Sequence, residues 1–353
     1  MAREILEGAR TVVARLLEVQ ADDVIFTSGA TESNALAILG VVRACRNPAA
    51  RLHVLYAPGA HASIVENVKL LAAEGAEIEP LPMRDRQVDC AALAKLLRPS
   101  TALVTMEAVC GETGVIWNTR EVASVIREPS RAQRGIMLHV DASQAPLTEK
   151  VTRAHFGADL LTLDGSKIGA ARGVGALIAH RTIPLAPLYL GGGQERGVRP
   201  GSEAPHLAES LAKALSQAAA GRDAFRIAAE AARTDLISRL TAAIPDIYIN
   251  EGRPGRQVPH ILNVSLPGRD TDFLVALLDE AGFAVSTKSA CETDSETGSR
   301  PVLVLFGDET RARSTLRISW NPEADLSRLR SFADALTRAV AFSAGGVDDR
   351  GSG

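Results

Sequence analysis

Ala158-Asp159-Leu160-Leu161-Thr162-Leu163-Asp164-Gly165-Ser166-Lys167 is an apolar run of strand length that stops at an acid, a glycine, a serine and a lysine. Gly169-Ala170-Ala171-Arg172-Gly173-Val174-Gly175 follows, then a second apolar run, Ala176-Leu177-Ile178-Ala179. The lysine therefore stands at a strand end with small residues beyond it. Upstream, Ile136-Met137-Leu138-His139-Val140 reads as another buried strand and ends in Asp141-Ala142-Ser143-Gln144. Strands that are apolar along their length belong in a sheet covered on both faces.

The pattern continues outward. Asp23-Val24-Ile25-Phe26 is a short strand that runs into Thr27-Ser28-Gly29-Ala30-Thr31-Glu32-Ser33-Asn34, and a helix follows through Leu36, Leu39, Val41 and Val42. Strands are predicted at 52–56, 76–79 and 102–106, and helices from His61, at 91–97 and at 119–127. Alternating strand and helix gives an α/β fold with a mostly parallel sheet between helices. Ligands of such sheets gather at the carboxyl ends of the strands. Thr31, His61, Glu112, Asp141 and Lys167 all follow predicted strands, which places them together at one expected site.

Beyond 185 the texture changes. Residues 188–203 are dense in glycine and offer little core, so they read as a linker or a ligand loop. Ser202 is expected to cap a long alanine-rich helix over 203–243. The rest reads as a smaller α/β unit, with strands near 246–249, 260–266, 283–286 and 315–319 and helices near 271–281 and 323–342. The predicted organisation is a large domain over 1–205, a connecting helical region over 206–245, a small C-terminal domain over 246–344, and a disordered tail over 345–353.

Composition excludes several classes. Hydrophobic residues at 46% and charged residues at 23% suit a soluble chain with a proper core. A net charge of −3 argues against nucleic acid as a partner. The four cysteines have no paired spacing, which fits a reducing cytosol and neither a disulfide framework nor a Cys-rich zinc site. No signal-peptide core or membrane-spanning run is visible, so a cytoplasmic location is expected.

A lysine at one strand end and an acid at another is the layout that pyridoxal 5'-phosphate needs. The lysine anchors the cofactor covalently; the acid pairs with the pyridinium nitrogen and makes the ring an electron sink. Taken alone, a lysine after a strand is more often a solvated loop residue. The Thr27–Asn34 turn can hold a phosphate on free N–H groups at a helix start, and it is equally an ordinary cap. Cys291 follows a strand and enters a polar stretch, where Lys288 favours the thiolate and Glu292 and Asp294 oppose it; the alternative is an incidental thiol. Arg317, in Ser314-Thr315-Leu316-Arg317-Ile318-Ser319-Trp320, sits in a strand pattern among apolar residues. A buried arginine needs an anion, either a ligand carboxylate or an internal acid.

In order along nearly the whole chain, Phe26 to Asn34, His61, Glu112-Thr113-Gly114, His139 to Gln144, Gly165-Ser166-Lys167, Gly191 to Gly197 with Gly201-Ser202, Ser289-Ala290-Cys291 and Ser314 to Ser319 resemble the cysteine desulfurases of the NifS/IscS kind. These are class V aminotransferase-like enzymes of pyridoxal phosphate fold type I. The resemblance implies that fold, with a large and a smaller α/β domain. It implies that Lys167 attaches the cofactor and shuttles protons, that Asp141 binds the pyridine nitrogen and Gln144 the 3-hydroxyl, and that His61 stacks on the ring and assists proton transfer. Ala30, Thr31 and Ser166 would hold the phosphate. Ser202 would reach the phosphate of a neighbouring subunit, which implies a homodimer. Arg317 would clamp the carboxylate of L-cysteine. Cys291 would take the sulfur as a persulfide, leaving L-alanine, and pass it to an acceptor protein for iron–sulfur clusters, tRNA thiolation or similar transfer.

The chain departs from that pattern. The family begins with a further stretch before residue 1. Ser166 stands where the family has histidine, and Gly111 where it has asparagine. Asp164 replaces a common serine, and a carboxylate beside a phosphate is repulsive unless it points away. Selenocysteine lyase or another class V enzyme is the near alternative. A non-catalytic homologue acting as a partner in a sulfur-transfer complex is the more distant one.

Overall fold

The computed structural model describes residues 1–45, 51–128, 135–287 and 298–345. Cys291 and Lys288 lie outside the described residues. The chain divides into two compact units, one of residues 1–110 and 117–222, the other of 111–116 and 223 onward.

The first unit is built on a seven-stranded sheet. Its strands are β1 (Val24–Thr27), β2 (His53–Tyr56), β3 (Glu77–Pro80), β6 (Thr101–Glu107), β7 (Met137–Asp141), β8 (Leu160–Asp164) and β9 (Gly175–Ala179), in the spatial order β1-β9-β8-β7-β6-β2-β3. Only β9 runs against its neighbours. The carboxyl ends of β1, β2, β6, β7 and β8 therefore share one edge. Two further short strands, β4 (Met83–Arg84) and β5 (Gln87–Val88), form a hairpin that the sequence did not announce. Its turn places Asp85 and Arg86 at φ 50° and 61° without a glycine.

Helices cover the sheet because their apolar residues have nowhere else to go. They are α1 (Ala2–Leu16), α2 (Ala30–Ala44), α3 (Ala62–Ala73), α4 (Cys90–Leu96), α5 (Thr119–Ile126) and α6 (Arg153–Phe156). In α2, Leu36, Ile38, Leu39, Val41 and Val42 are all buried, and each contributes roughly 1.5–3 kcal/mol relative to exposure. Leu36, Ala37 and Val41 pack with Ile25, Leu160, Leu177 and Ala179 of the sheet. That contact fixes the start of α2 at the carboxyl end of β1. Asp89 caps α4 by accepting from the Ala91 and Ala92 N–H groups.

The glycine-dense segment after Leu188 is more than a linker. Glu195 is buried and takes both arms of Arg10, at 2.9 and 2.7 Å, and the Phe26 N–H at 3.0 Å. Arg10 also lies 4.9 Å from the Phe26 ring centroid. This cluster holds Glu195 and Arg196 at positive φ, 44° and 61°. Helix α7 (Pro205–Ala243) begins with proline at its first position. Ser202 lies three residues earlier and is exposed, so it does not cap the helix as expected.

The second unit holds a three-stranded antiparallel sheet of β10 (Tyr248–Ile249), β11 (Ile261–Ser265) and β12 (Thr315–Ser319). Helices α8 (Thr271–Glu280), α9 (Arg300–Phe306), α10 (Glu309–Arg313) and α11 (Arg328–Gly345) accompany it. The strand expected near 283–286 is reduced to one bridge, Ser286 with Arg317. Residues 111–116 are woven into this unit: Gly114 O accepts from Val258 N, and Glu112 O from Asn263 Nδ2. Gly114, at φ +76°, is required there, since a Cβ would fall 2.5 Å from Gln257 Nε2. Glu112 thus belongs to this unit, because β6 ends at Glu107 and the chain leaves the sheet.

Candidate active site

The shared edge of the first unit gathers a connected polar cluster. Pairing of β6 with β7 sets Glu107 beside Asp141, and pairing of β7 with β8 sets Asp141 beside Thr162, two residues before Asp164. Asp141 is buried, and its carboxylate accepts three hydrogen bonds. Asn34 Nδ2 donates to Oδ2 at 2.7 Å; Ser143 N and Oγ donate to Oδ1 at 2.9 and 2.6 Å. These donors fix the carboxylate's direction.

Asn34 is fully buried one turn into α2. Its amide also donates to Ser63 Oγ at 2.9 Å, and that hydroxyl lies 2.8 Å from His61 Nδ1. His61 Nδ1 also accepts from Ser63 N at 3.1 Å and so caps α3. With Nδ1 used as an acceptor, the proton of the neutral imidazole belongs on Nε2. The His61 backbone is held in turn, its N–H donating to Glu107 Oε1 at 3.0 Å. Asp141 and His61 are thereby coupled through Asn34 and Ser63. Sequence reasoning quoted Asn34 only as part of a motif and assigned no role to Ser63, Ser143 or Glu107. The legible signal for Asn34 was an amide on the same face as the apolar residues of α2.

Lys167 closes a 3-10 turn, Gly165–Lys167, directly after β8. Its side chain is exposed and makes no hydrogen bond or ion pair among the described residues. The hydroxyl of Thr31 and the amide of Gln144 are likewise unpartnered there. Ser166 is exposed. Asp164, expected to be harmless to a phosphate only if it pointed away, points inward. Its Oδ2 accepts from Ala30 N at 3.1 Å, and its Oδ1 from Ser166 N and Oγ at 2.8 and 2.6 Å. Nearby, Glu32 accepts from Ser28 N at 2.6 Å and from Arg199 Nε at 3.0 Å. Burial works to raise the Glu32 pKa, but the Ser28 N–H and the Arg199 guanidinium outweigh it, so the net direction is down. Gly29, at φ +149°, turns the chain from β1 into α2. Gly175 passes so close that a Cβ would lie 2.7 Å from Gly29 backbone atoms.

In the second unit, Arg317 lies on β12 and donates from Nη1 to the Gly111 carbonyl at 3.2 Å. It has no acidic partner among the described residues. Its backbone exchanges hydrogen bonds with Ser286, and Thr315 Oγ1 donates to the Thr287 carbonyl at 2.6 Å. The segment that carries Cys291 therefore leaves from a point tied to the Arg317 strand.

The aminotransferase class-V family model matches residues 1–329. The chain belongs to that family. It is 33% identical over 334 residues to "Cysteine desulfurase IscS 1" of Archaeoglobus fulgidus, covering 93% of this chain and 84% of the relative. It is 31% identical over 369 residues to the selenocysteine lyase of Bos taurus, covering 96% and 84%. Among solved structures, DndA from Streptomyces lividans superposes with a TM-score of 0.77 at 32% identity, covering 91% of this chain and 89% of that one. The family and its cysteine desulfurases depend on pyridoxal phosphate. Among the described residues no helix is long and apolar enough to cross a membrane.

The residues present fit that cofactor. Asp141 is an oriented carboxylate at a strand end, and the Lys167 amine has no partner among the described residues. The β1–α2 turn offers N–H groups and hydroxyls to an anion, and one of these N–H groups, that of Ala30, already donates to the Asp164 carboxylate.

Proposed function

We propose that the chain is a pyridoxal 5'-phosphate-dependent cysteine desulfurase that converts L-cysteine to L-alanine and leaves a persulfide on Cys291. The observation that carries this reading is the edge cluster itself, an Asp141 carboxylate clamped by Asn34 and Ser143 at the end of β7, with Lys167 in the turn after the neighbouring β8 and without a partner among the described residues, in a chain of this family.

When bound, the cofactor supplies an electron sink for the carbon skeleton of the substrate. Lys167 anchors it and then moves a proton at its own Nζ. Asp141 meets the pyridine nitrogen, and Gln144 gives its free amide to the ring hydroxyl. His61 would face the ring and assist proton transfer, its imidazole held at Nδ1 by Ser63. Ala30 N–H, Thr31 and Ser166 hold the phosphate. Arg317, which has no acidic partner among the described residues, takes the substrate carboxylate. The Cys291 thiolate attacks the substrate sulfur. The C–S bond breaks, its electron pair stays with the carbon skeleton, and a proton delivered to that carbon completes L-alanine. The persulfide then passes to an acceptor protein, a scaffold or carrier of iron–sulfur assembly or tRNA thiolation. The working form is a cytoplasmic homodimer in which the exposed Ser202 reaches the partner's phosphate.

The selenocysteine lyase reading is supported by the 31% identity to the bovine enzyme. The two separate at Cys291, since removal of selenium needs no attacking thiol. To test the cofactor assignment, protein incubated with pyridoxal phosphate is reduced with borohydride and its peptides are weighed. A pyridoxyl group on Lys167 is the expected result; its absence, or its presence on another lysine, refutes the assignment. Alanine production surviving Cys291→Ser would refute the persulfide role.

A further inference from the structure

Of the residues expected to bind phosphate, Ala30 and Ser166 already have their donors in use. Asp164 Oδ2 takes the Ala30 N–H, the first free donor of α2, and Oδ1 takes both the N–H and the hydroxyl of Ser166. A phosphate and a carboxylate compete for the same donors because both are compact oxyanions that seek N–H groups at a helix start. Geometry keeps Asp164 there. It ends β8, whose backbone is paired with Gly175 on β9, and Gly175 in turn abuts Gly29. The carboxylate also caps the turn that positions Lys167. Asp164 thus belongs at once to the lysine turn and to the anion cup.

We propose that Asp164 is a built-in occupant of the phosphate subsite and sets the affinity for the cofactor. The proposal rests on the cofactor reading above. To seat, the phosphate displaces Asp164 Oδ2 from Ala30 N–H and Oδ1 from Ser166 Oγ. The displaced carboxylate stays tethered within a few ångström of a dianion. Wild-type protein therefore holds pyridoxal phosphate weakly and discriminates little between it and pyridoxal, which has no phosphate. Emptying the cup of charge restores the preference.

The test is a titration of pyridoxal phosphate and, separately, of pyridoxal into wild type, Asp164→Asn, Asp164→Ser and Lys167→Ala, read by the visible absorbance of bound cofactor. Asn keeps the shape and an acceptor for Ala30 N–H; Ser is shorter and cannot reach, so the two guard against a folding defect in either. Far-UV circular dichroism and melting of each variant accompany the titration. The expected result is that both variants bind pyridoxal phosphate about tenfold tighter or better, as removal of a like charge near the surface allows, while pyridoxal affinity stays within about twofold of wild type. Equal affinity of wild type and both variants for pyridoxal phosphate overturns the proposal, as does a gain shared by pyridoxal. Lys167-dependent binding that ignores Asp164 overturns only this proposal. Failure of every protein to bind either compound through Lys167 overturns the cofactor reading, and this proposal with it.

Discussion

His139 occupies the centre of β7 with no exposed surface. Its Nδ1 lies 2.8 Å from Thr105 Oγ1 on β6 and its Nε2 3.1 Å from Thr162 Oγ1 on β8. Burial among apolar strands pushes its pKa from 6.5 down to about 3. In the unfolded chain the same ring takes up a proton near pH 6.5. Between these limits the unfolded state binds one proton more than the folded state, so stability rises with pH and is lost as pH falls below 6.5. The slope is about 1.4 kcal/mol per pH unit, so moving from about pH 7 to about pH 5 costs ~2 kcal/mol through this one ring. His139→Gln keeps an amide between the two hydroxyls and cannot titrate. Urea unfolding of both proteins at these two pH values is the assay. Wild type should lose ~2 kcal/mol more than the variant; His260, pushed down to about 4 by burial, contributes equally to both. Parallel losses in the two proteins would refute the reasoning. The site is affected because Glu107, Asp141 and Asp164 lie two residues beyond Thr105, His139 and Thr162 on the same three strands.

Three further outcomes follow from the structure. Glu195→Gln leaves the buried Arg10 guanidinium without its bidentate partner and should cost ~3–5 kcal/mol in urea unfolding, whereas replacing both residues by methionine should cost less. Asn34→Ala strands a buried Asp141 oxygen and takes one of two partners from the Ser63 hydroxyl; a loss of ~1–3 kcal/mol in cofactor binding, measured by absorbance titration, is expected, with Asn34→Asp no better because it sets two carboxylates together. Gly175→Ala places a methyl 2.7 Å from the Gly29 backbone and the Leu163 carbonyl, so the β1–α2 turn must move. Melting should reveal ~1–3 kcal/mol of destabilisation, and a wild-type melting curve would show that the turn yields freely.

Elements whose burial is uniform were legible in the sequence. The parallel strands are apolar from end to end, so β2, β6, β7 and β8 fall within a residue or so of their expected bounds. The antiparallel course of β9 was not legible, since an apolar run carries no direction. Nor was the hairpin at 83–88, whose turn uses Asp85 and Arg86 at positive φ in place of the usual glycine. Lys167 and Asp141 stood out in the sequence because each is a charged residue at the end of an apolar run. Glu107 was passed over, because a carboxylate that closes a strand looks like its last solvated residue until the neighbouring strand is seen beside it. Asn34 and Ser63 escaped for a related reason: their function is to join side chains 107 and 29 residues apart in sequence, and such long-range pairs leave no local pattern. Asp164 was recognised as out of place, but its partner, the Ala30 N–H, could be known only from the way α2 packs on β8 and β9.

The most direct measurement is alanine formation from L-cysteine by the purified protein under anaerobic conditions, with pyridoxal phosphate and a reductant present, run beside Lys167→Ala and Cys291→Ser. The expected result is turnover by wild type with sulfide released in step with alanine, and none by either variant. A wild-type protein that binds pyridoxal phosphate at Lys167 yet forms no alanine, or a Cys291→Ser variant that forms it at the wild-type rate, would contradict the assignment.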